Sequence, residues 1–419
     1  MTHFHYRNGQ LHVDETAIEE IARIAGTPFY LYSQGEILDR FRAFDGAARR
    51  HLKSHLTCFA VKSNFNPAIV GLLAKQGAGA DIVSGGELLL ALKSGIPADK
   101  IVYSGVGKTA EELKLAVETG IRRINVESAE EAALLNEIAV SSGKRADIAL
   151  RVNPDVDART HDKIATGKAE NKFGVDWTRA RELYRDFTAA AGLNPVGIDV
   201  HVGSQLLEIE PFAETFDRAA QIVRRLRADG VAISSIDVGG GLGVVYQSTD
   251  KALSPDAYME TAARILGGED CEIIFEPGRF LVADAGILVS RVVRVKQARD
   301  RRFLVLDAGM NDLVRPAMYD AWHDVRPVKQ GVGDQIYDVV GPVCESGDVF
   351  GKARVLPETA EGDLIAIETA GAYGAAMASN YNFHPLCAEV LANGSDYAVI
   401  RERQSMDDML KNTRPAPWL

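Results

Sequence analysis

A handful of residues capable of chemistry stand at the ends of short apolar runs. Lys62 follows Cys58-Phe-Ala-Val61. An amine emerging from an apolar run is partly desolvated, which lowers its proton affinity and makes it a better nucleophile; a rim lysine snorkelling to water fits the same run. His201 leads into Val-Gly-Ser204-Gln205. The glycine and serine suit a ligand-facing loop, and a hydrogen-bonded structural imidazole suits it too. Asp237-Val-Gly-Gly-Gly241-Leu-Gly243 clusters glycines whose amides can approach a phosphate closely, or simply make a tight turn. Glu276-Pro-Gly-Arg279 offers a carboxylate to a cation and a guanidinium to an anion, or the two to each other. Cys344 is apolar-flanked and reads by itself as a structural cysteine.

These residues need elements to hold them. Candidate strands are Leu56–Lys62, Ala80–Ser84, Ile101–Ser104, Arg123–Glu127, Asp147–Asn153, Val196–His201, Ser235–Val238 and Glu272–Glu276. Helical periodicity fills most of the intervals, at Pro67–Gln76, Glu87–Ser94, Glu111–Thr119, Ala129–Ser141, Thr178–Ala191, Pro211–Ala228 and Pro255–Leu266. Prolines open three of these helices, and Gly77, Gly95, Gly120, Gly192 and Gly230 suit helix stops. Eight strands joined by helical crossovers predict a closed (β/α)8 barrel rather than an open doubly wound sheet. The strand ends then read Lys62, Asp81 with Ser84, Ser104, Glu127, Asn153, His201, Gly239–Gly241 and Glu276. Barrel enzymes place their chemistry on that rim.

Beyond about Ala285 the rhythm changes. Gly286–Gln297, Arg302–Asp307, Gln335–Val340, Asp363–Thr369 and Asp396–Arg401 read as strands with few helices between, and Ala298-Arg-Asp-Arg-Arg302 as a solvated turn. This predicts a separate antiparallel β domain (sandwich or barrel), joined by N-terminal strands at Leu11–Val13 and Phe29–Tyr32. The expected division is 1–34, the N-terminal segment joining the β domain; 35–284, the barrel; and 285–419, the C-terminal β domain.

Composition excludes several classes. Hydrophobic residues make up 46% and charged residues 25% of 419 positions, as in a soluble globular protein. A net charge of −11 with no basic block argues against nucleic-acid or anionic-membrane partners. Four scattered cysteines form no CxxC pair, so neither a disulfide framework nor a zinc site is expected, and no other metal site is. With no apolar run long enough to span a membrane and no leader pattern, the expected compartment is the cytoplasm. Gly105-Val-Gly-Lys-Thr109 imitates the end of a P-loop, but the first glycine of that motif would fall on Val102.

In order and spacing the motifs resemble the pyridoxal-phosphate-dependent decarboxylases of the alanine-racemase-like fold type. They are Ala60-Val-Lys-Ser-Asn64, Asp81-Ile-Val-Ser-Gly-Gly-Glu87, Asn171-Lys-Phe-Gly174, His201-Val-Gly-Ser-Gln205, Gly239-Gly-Gly241 and Glu276-Pro-Gly-Arg279, then Arg315-Pro-Ala-Met-Tyr319, Gly341-Pro-Val-Cys-Glu-Ser-Gly-Asp348 and Gly371-Ala-Tyr-Gly374. The resemblance implies pyridoxal 5'-phosphate held covalently by Lys62, with Asp81 orienting that lysine. His201 would stack on the cofactor ring, and Glu276 would keep the ring nitrogen protonated. Ser204, Gly240, Gly241, Gly278, Arg279 and Tyr373 would hold the phosphate. Cys344 would be the acid that protonates carbon after carbon dioxide leaves. Cys344 and Glu345 would reach the site from the partner subunit of a homodimer.

The resemblance also places Arg279, Arg315 and Tyr319, with Tyr373 nearby, around the far end of the substrate. A two-armed guanidinium suits a carboxylate. Ornithine and arginine end in cations and have no second carboxylate, so Arg315 would be misplaced for them. Diaminopimelate has an amino acid at each end, which calls for a carboxylate clamp and for Glu345 facing the distal amine. The implied reaction is decarboxylation of meso-2,6-diaminopimelate to L-lysine, the last step of lysine biosynthesis. Alternatives are a decarboxylase of the ornithine, arginine or carboxynorspermidine type, a racemase of the same fold, and a non-catalytic regulatory homologue, which should lack Lys62 or Cys344. The long segment Pro154–Phe173 contains Thr166–Lys172, which resembles a family loop over the site; Gly167 within it and Gly174 just after it could let it move as a lid.

Overall fold

The computed structural model describes residues 3–157 and 173–418. The expected lid Thr166–Lys172 lies outside them, as do Asn171 and Lys172 of the quoted motif. The chain divides into two compact units: Asp39–Val245 with Asp250–Leu281, and the residues up to Leu38 with Tyr246–Thr249 and those from Val282 onward.

The first unit is the eight-stranded barrel. Its strands are β1 (His55–Ala60), β2 (Gly79–Ile82), β3 (Ile101–Tyr103), β4 (Arg123–Val126), β5 (Ala146–Asn153), β6 (Leu193–Asp199), β7 (Ser235–Asp237) and β8 (Glu272–Phe275). Every neighbouring pair is parallel, and β8 closes on β1 through Ile273–Phe275 against His55–Thr57. The strands are short because polar residues take over at their ends, which leaves those side chains at the mouth. The crossover helices start where sequence chemistry says they should. Asn66, Ser84, Thr109, Ser128 and Ser254 each accept a first-turn amide, and Pro67 and Pro255 occupy the first helical position.

Behind the strands, Glu210–Ala228 buries Phe212, Phe216, Ala219, Ala220, Val223 and Leu226, a stripe at helical spacing. Tyr258 of Pro255–Leu266 packs edge-on to Phe212 at 4.8 Å, and Phe44 edge-on to Phe275 at 5.8 Å. Each such aromatic contributes roughly 1.5–3 kcal/mol by leaving water. Inside the barrel the fully buried Arg123 is satisfied by Asp237 (2.8 Å), Ser235 Oγ (2.7 Å) and Asn125 Oδ1 (2.9 Å).

The second unit is β-rich. Its main sheet runs Val349–Leu356, Gln335–Val340, Arg301–Leu306, Gly286–Ala298, Phe29–Ser33, Ala388–Asn393, Asp396–Arg401, with Leu364–Ile367 and Val325–Pro327 added beside Gly286–Ala298. The N-terminal strand Phe29–Ser33 is therefore interior to a sheet made otherwise from the tail. Most pairings are antiparallel, as expected; Phe29–Ser33 with Ala388–Ala392, and Phe303–Val305 with Asp338–Val340, are parallel. The basic turn is a hairpin tip in which Arg299 takes a left-handed backbone (φ 50°). Phe4, Leu11, Val13, Ile18, Ile21, Phe29, Leu31, Ile287, Val289 and Val390 form the core of this unit.

Candidate active site

Lys62 lies just past β1, in a single tight turn Val61–Ser63 rather than on the strand itself. That turn lifts its side chain out of the sheet register and toward β2, where Nζ donates to Asp81 Oδ2 at 2.6 Å. Asp81 is fully buried, and its second oxygen has no hydrogen-bond partner among the described residues. Glu87, six residues on, accepts from Val83 N at 2.8 Å, and burial pushes its carboxyl up to about 7. An amine held this way is positioned to condense with an aldehyde or ketone.

Three buried carboxylates, Asp199, Asp237 and Glu276, bring oxygens within 4.8 Å of one another. Arg123 pairs with Asp237, and Arg151 lies 4.0 Å from Asp199 and 3.3 Å from Glu127. Burial raises all three acids, and their mutual repulsion raises them further: Asp199 is pushed up to about 8, and Glu276 well above the carboxylate range. Ser104 Oγ lies 3.5 Å from Glu276 Oε1 and accepts from Asn125 Nδ2 at 3.1 Å. Burial and the neighbouring acids thus favour the protonated form of Glu276, which suits it to share a proton with a ligand nitrogen. Burial, with Arg151 and Lys62 nearby, holds the His201 imidazole well below its usual range, which favours a neutral ring of the kind that stacks on another ring.

The glycine run after β7 is close-fitting. A Cβ on Gly240 would lie 2.4 Å from Glu276 O, one on Gly241 2.7 Å from Gly203 O, and one on Gly239 2.7 Å from His201 Cδ2. Among the described residues no backbone carbonyl accepts from the Gly240 or Gly241 amides. Gly278 is equally tight, its would-be Cβ 3.0 Å from Ala60 and Ser63. Arg279 donates to Ser204 Oγ at 3.1 Å, tying the turn after β8 to the loop after β6. Two amides and a guanidinium beside a hydroxyl make an anion cradle. The structure brings Lys62, Asp81, His201, Ser204, Gly240, Gly241, Glu276, Gly278 and Arg279 together in the barrel unit.

Arg315, Tyr319, Cys344, Glu345 and Tyr373 belong to the β unit. Arg315 is buried at the start of a short helix, Arg315–Tyr319. Its guanidinium meets His323 Nε2 at 2.8 Å and lies 4.6 Å over the Tyr246 ring. His323 gives its other ring nitrogen to Glu368 O at 2.8 Å, which leaves Nε2 as an acceptor for Arg315. Cys344 and Glu345 are exposed on a loop whose backbone is pinned: Asp348 accepts from Met310 N (2.6 Å) and Val343 N (2.7 Å), and Asn382 Oδ1 accepts from Cys344 N (3.0 Å). Exposure corrects the reading of Cys344 as a structural cysteine. Tyr373 takes a left-handed backbone (φ 56°), a costly conformation of the kind found at ligand sites.

Sequence reasoning missed Arg151, Asp199, Tyr246, His323, Asp348 and Asn382. Asp199 and Arg151 each lie two residues before a polar strand end, His201 and Asn153, and point to the barrel interior by the same alternation. The P-loop imitation is structural: Lys108 is buried, donating to Gly105 O, Asn125 O and Glu131 Oε1 at 2.7–2.8 Å.

Comparison with known proteins shows what the chain is similar to. The model of the pyridoxal binding domain of pyridoxal-dependent decarboxylases matches residues 34–283. A diaminopimelate decarboxylase of Zymomonas mobilis is 46% identical over the whole of both chains. Among solved structures, diaminopimelate decarboxylase from Helicobacter pylori complexed with L-lysine superposes with a TM-score of 0.91 at 42% identity, covering 94% of this chain and 98% of its own. The M. jannaschii enzyme in co-complex with L-lysine gives 0.95 at 36% identity, covering 99% of each chain.

Proposed function

The chain belongs to the pyridoxal-dependent decarboxylase family, and we propose from that premise that it converts meso-2,6-diaminopimelate to L-lysine and carbon dioxide. The observation that carries the choice of substrate is Arg315, a buried cation whose orientation is set by His323 and Tyr246. A guanidinium held in this way suits an anionic far end of the substrate. The Helicobacter pylori and M. jannaschii relatives were solved with L-lysine, the product this reading requires.

The residues fit pyridoxal 5'-phosphate. A held amine, a neutral imidazole, a protonated buried acid and a glycine cradle that admits no Cβ match its aldehyde, ring face, ring nitrogen and phosphate. When bound, the cofactor supplies the electron sink for the bond that breaks. Lys62 would hold it covalently through its amine, and Asp81, which accepts from that amine, would keep it in position. Glu276 holds the proton on the ring nitrogen, and His201 covers the ring. Gly240, Gly241, Ser204, Gly278, Arg279 and Tyr373 hold the phosphate. Arg279, Arg315 and Tyr319 orient the distal carboxylate and Glu345 the distal amine, which leaves the reacting carboxylate without a cationic clamp and able to depart as neutral carbon dioxide. Cys344 returns a proton to the carbon.

The exposure of Cys344 and Glu345 supports a homodimer in which each site is completed by its partner. Four free cysteines support a reducing, cytoplasmic setting in lysine biosynthesis. No helix among the described residues is long and apolar enough to cross a membrane. Arg315→Leu tests the substrate assignment: KM for diaminopimelate should rise on the order of 10²-fold, as for a lost charged hydrogen-bond pair. Cofactor affinity should not change; an unchanged KM would remove the clamp.

A further inference from the structure

We propose that Gln205 is a positioning residue for the phosphate end of the cofactor site, acting by clamping the loop after β6 to the loop after β7. The proposal rests on the cofactor reading above. Gln205 takes a left-handed backbone (φ 62°), which a residue with a Cβ adopts only at a cost. The turn aims its side-chain amide at the Val244 peptide: Nε2 donates to Val244 O at 2.6 Å, and Oε1 accepts from Val244 N at 3.2 Å. Leu206 N donates to Gly241 O and Gly243 N to Leu206 O, both at 2.9 Å. Four hydrogen bonds thus join the two loops.

Three of the groups assigned to the phosphate lie at that seam: Ser204 immediately before Gln205, Gly241 in the joined segment of the other loop, and Gly240 immediately before it. The fit leaves little slack, since a Cβ on Gly241 would already lie 2.7 Å from Gly203 O. A primary amide offers a donor and an acceptor side by side, as a peptide group does, which matches glutamine to the Val244 peptide. Lys62, Asp81 and Glu276, which face the ring, stand just past β1, on β2 and just past β8, on neither of the two clamped loops. Loosening the clamp should therefore weaken phosphate binding and leave ring binding alone.

Two variants separate this from general support of the fold. Gln205→Glu is nearly isosteric and replaces the donor to Val244 O with an oxygen. Gln205→Gly keeps the left-handed backbone accessible and deletes the amide. The measurement is equilibrium binding of pyridoxal 5'-phosphate, and separately of pyridoxal, to cofactor-stripped protein by absorbance titration. Both variants should bind the phosphorylated form about tenfold more weakly, the size of one lost hydrogen bond to a buried group. Both should bind pyridoxal as the parent does. Equal weakening of the two ligands, or no weakening of either, overturns the assignment. A parent protein that takes up neither ligand overturns the cofactor reading and this proposal with it.

Discussion

A thiol that hands a proton to carbon must be reachable and must be aimed. Cys344 is exposed, and its backbone is fixed through Asn382 and Asp348. Cys344→Ala should lower kcat roughly 10²–10⁴-fold, the usual worth of a general acid. Affinity for pyridoxal phosphate should stay at the parent value; equal losses in both would mean a structural role. At this scale the sequence was readable wherever a residue's type and its place at a strand end carried the meaning, as for Lys62, Asp81, His201 and Glu276. It was silent where meaning comes from tertiary approach. Nothing near Tyr246 or His323 in the chain announces Arg315, and Asn382 is separated from Cys344 by a long stretch of sheet.

The barrel's strands stop where their polar residues begin, so acids from β6, β7 and β8 meet at one end. Asp199 illustrates the cost. Its carboxyl is pushed up to about 8 by burial and by Asp237, against about 3.9 in an unfolded chain. Between those values the folded state binds more protons than the unfolded state, so stability falls as pH rises. The cofactor-free protein should lose thermal stability from pH 5 to 8, by roughly 1 °C for each kcal/mol of linkage in a chain of 419 residues. Asp199→Asn should flatten that slope, and a slope unchanged by the substitution would mean that Asp199 holds no proton in the folded state. Crossover helices and barrel strands were legible because caps, prolines and periodicity agree. The strands Val349–Leu356, Ala388–Asn393, Val325–Pro327 and Phe4–Arg7 were not. They are short or irregularly buried, as in Val349–Leu356, where glycine, lysine and arginine interrupt any alternation.

For the whole molecule, the barrel unit carries the groups assigned to the cofactor except Tyr373, and the β unit carries those assigned to the proton and, with Arg279 of the barrel unit, to the substrate's far end. The position of Phe29–Ser33 inside the tail's sheet makes the β unit depend on both ends of the chain. If sites are completed across a homodimer, Lys62→Ala and Cys344→Ala proteins, each inactive, should regain activity when mixed and allowed to exchange subunits. No recovery, with exchange demonstrated by mixed-tag capture, would place both residues in one chain's site. The most direct test of the central claim is product analysis with purified protein loaded with pyridoxal 5'-phosphate. Supplied with meso-2,6-diaminopimelate it should release lysine and carbon dioxide in equal amounts, while parallel incubations with ornithine and arginine give nothing. Unchanged diaminopimelate from protein with an intact cofactor absorbance, or product from ornithine or arginine, would contradict it.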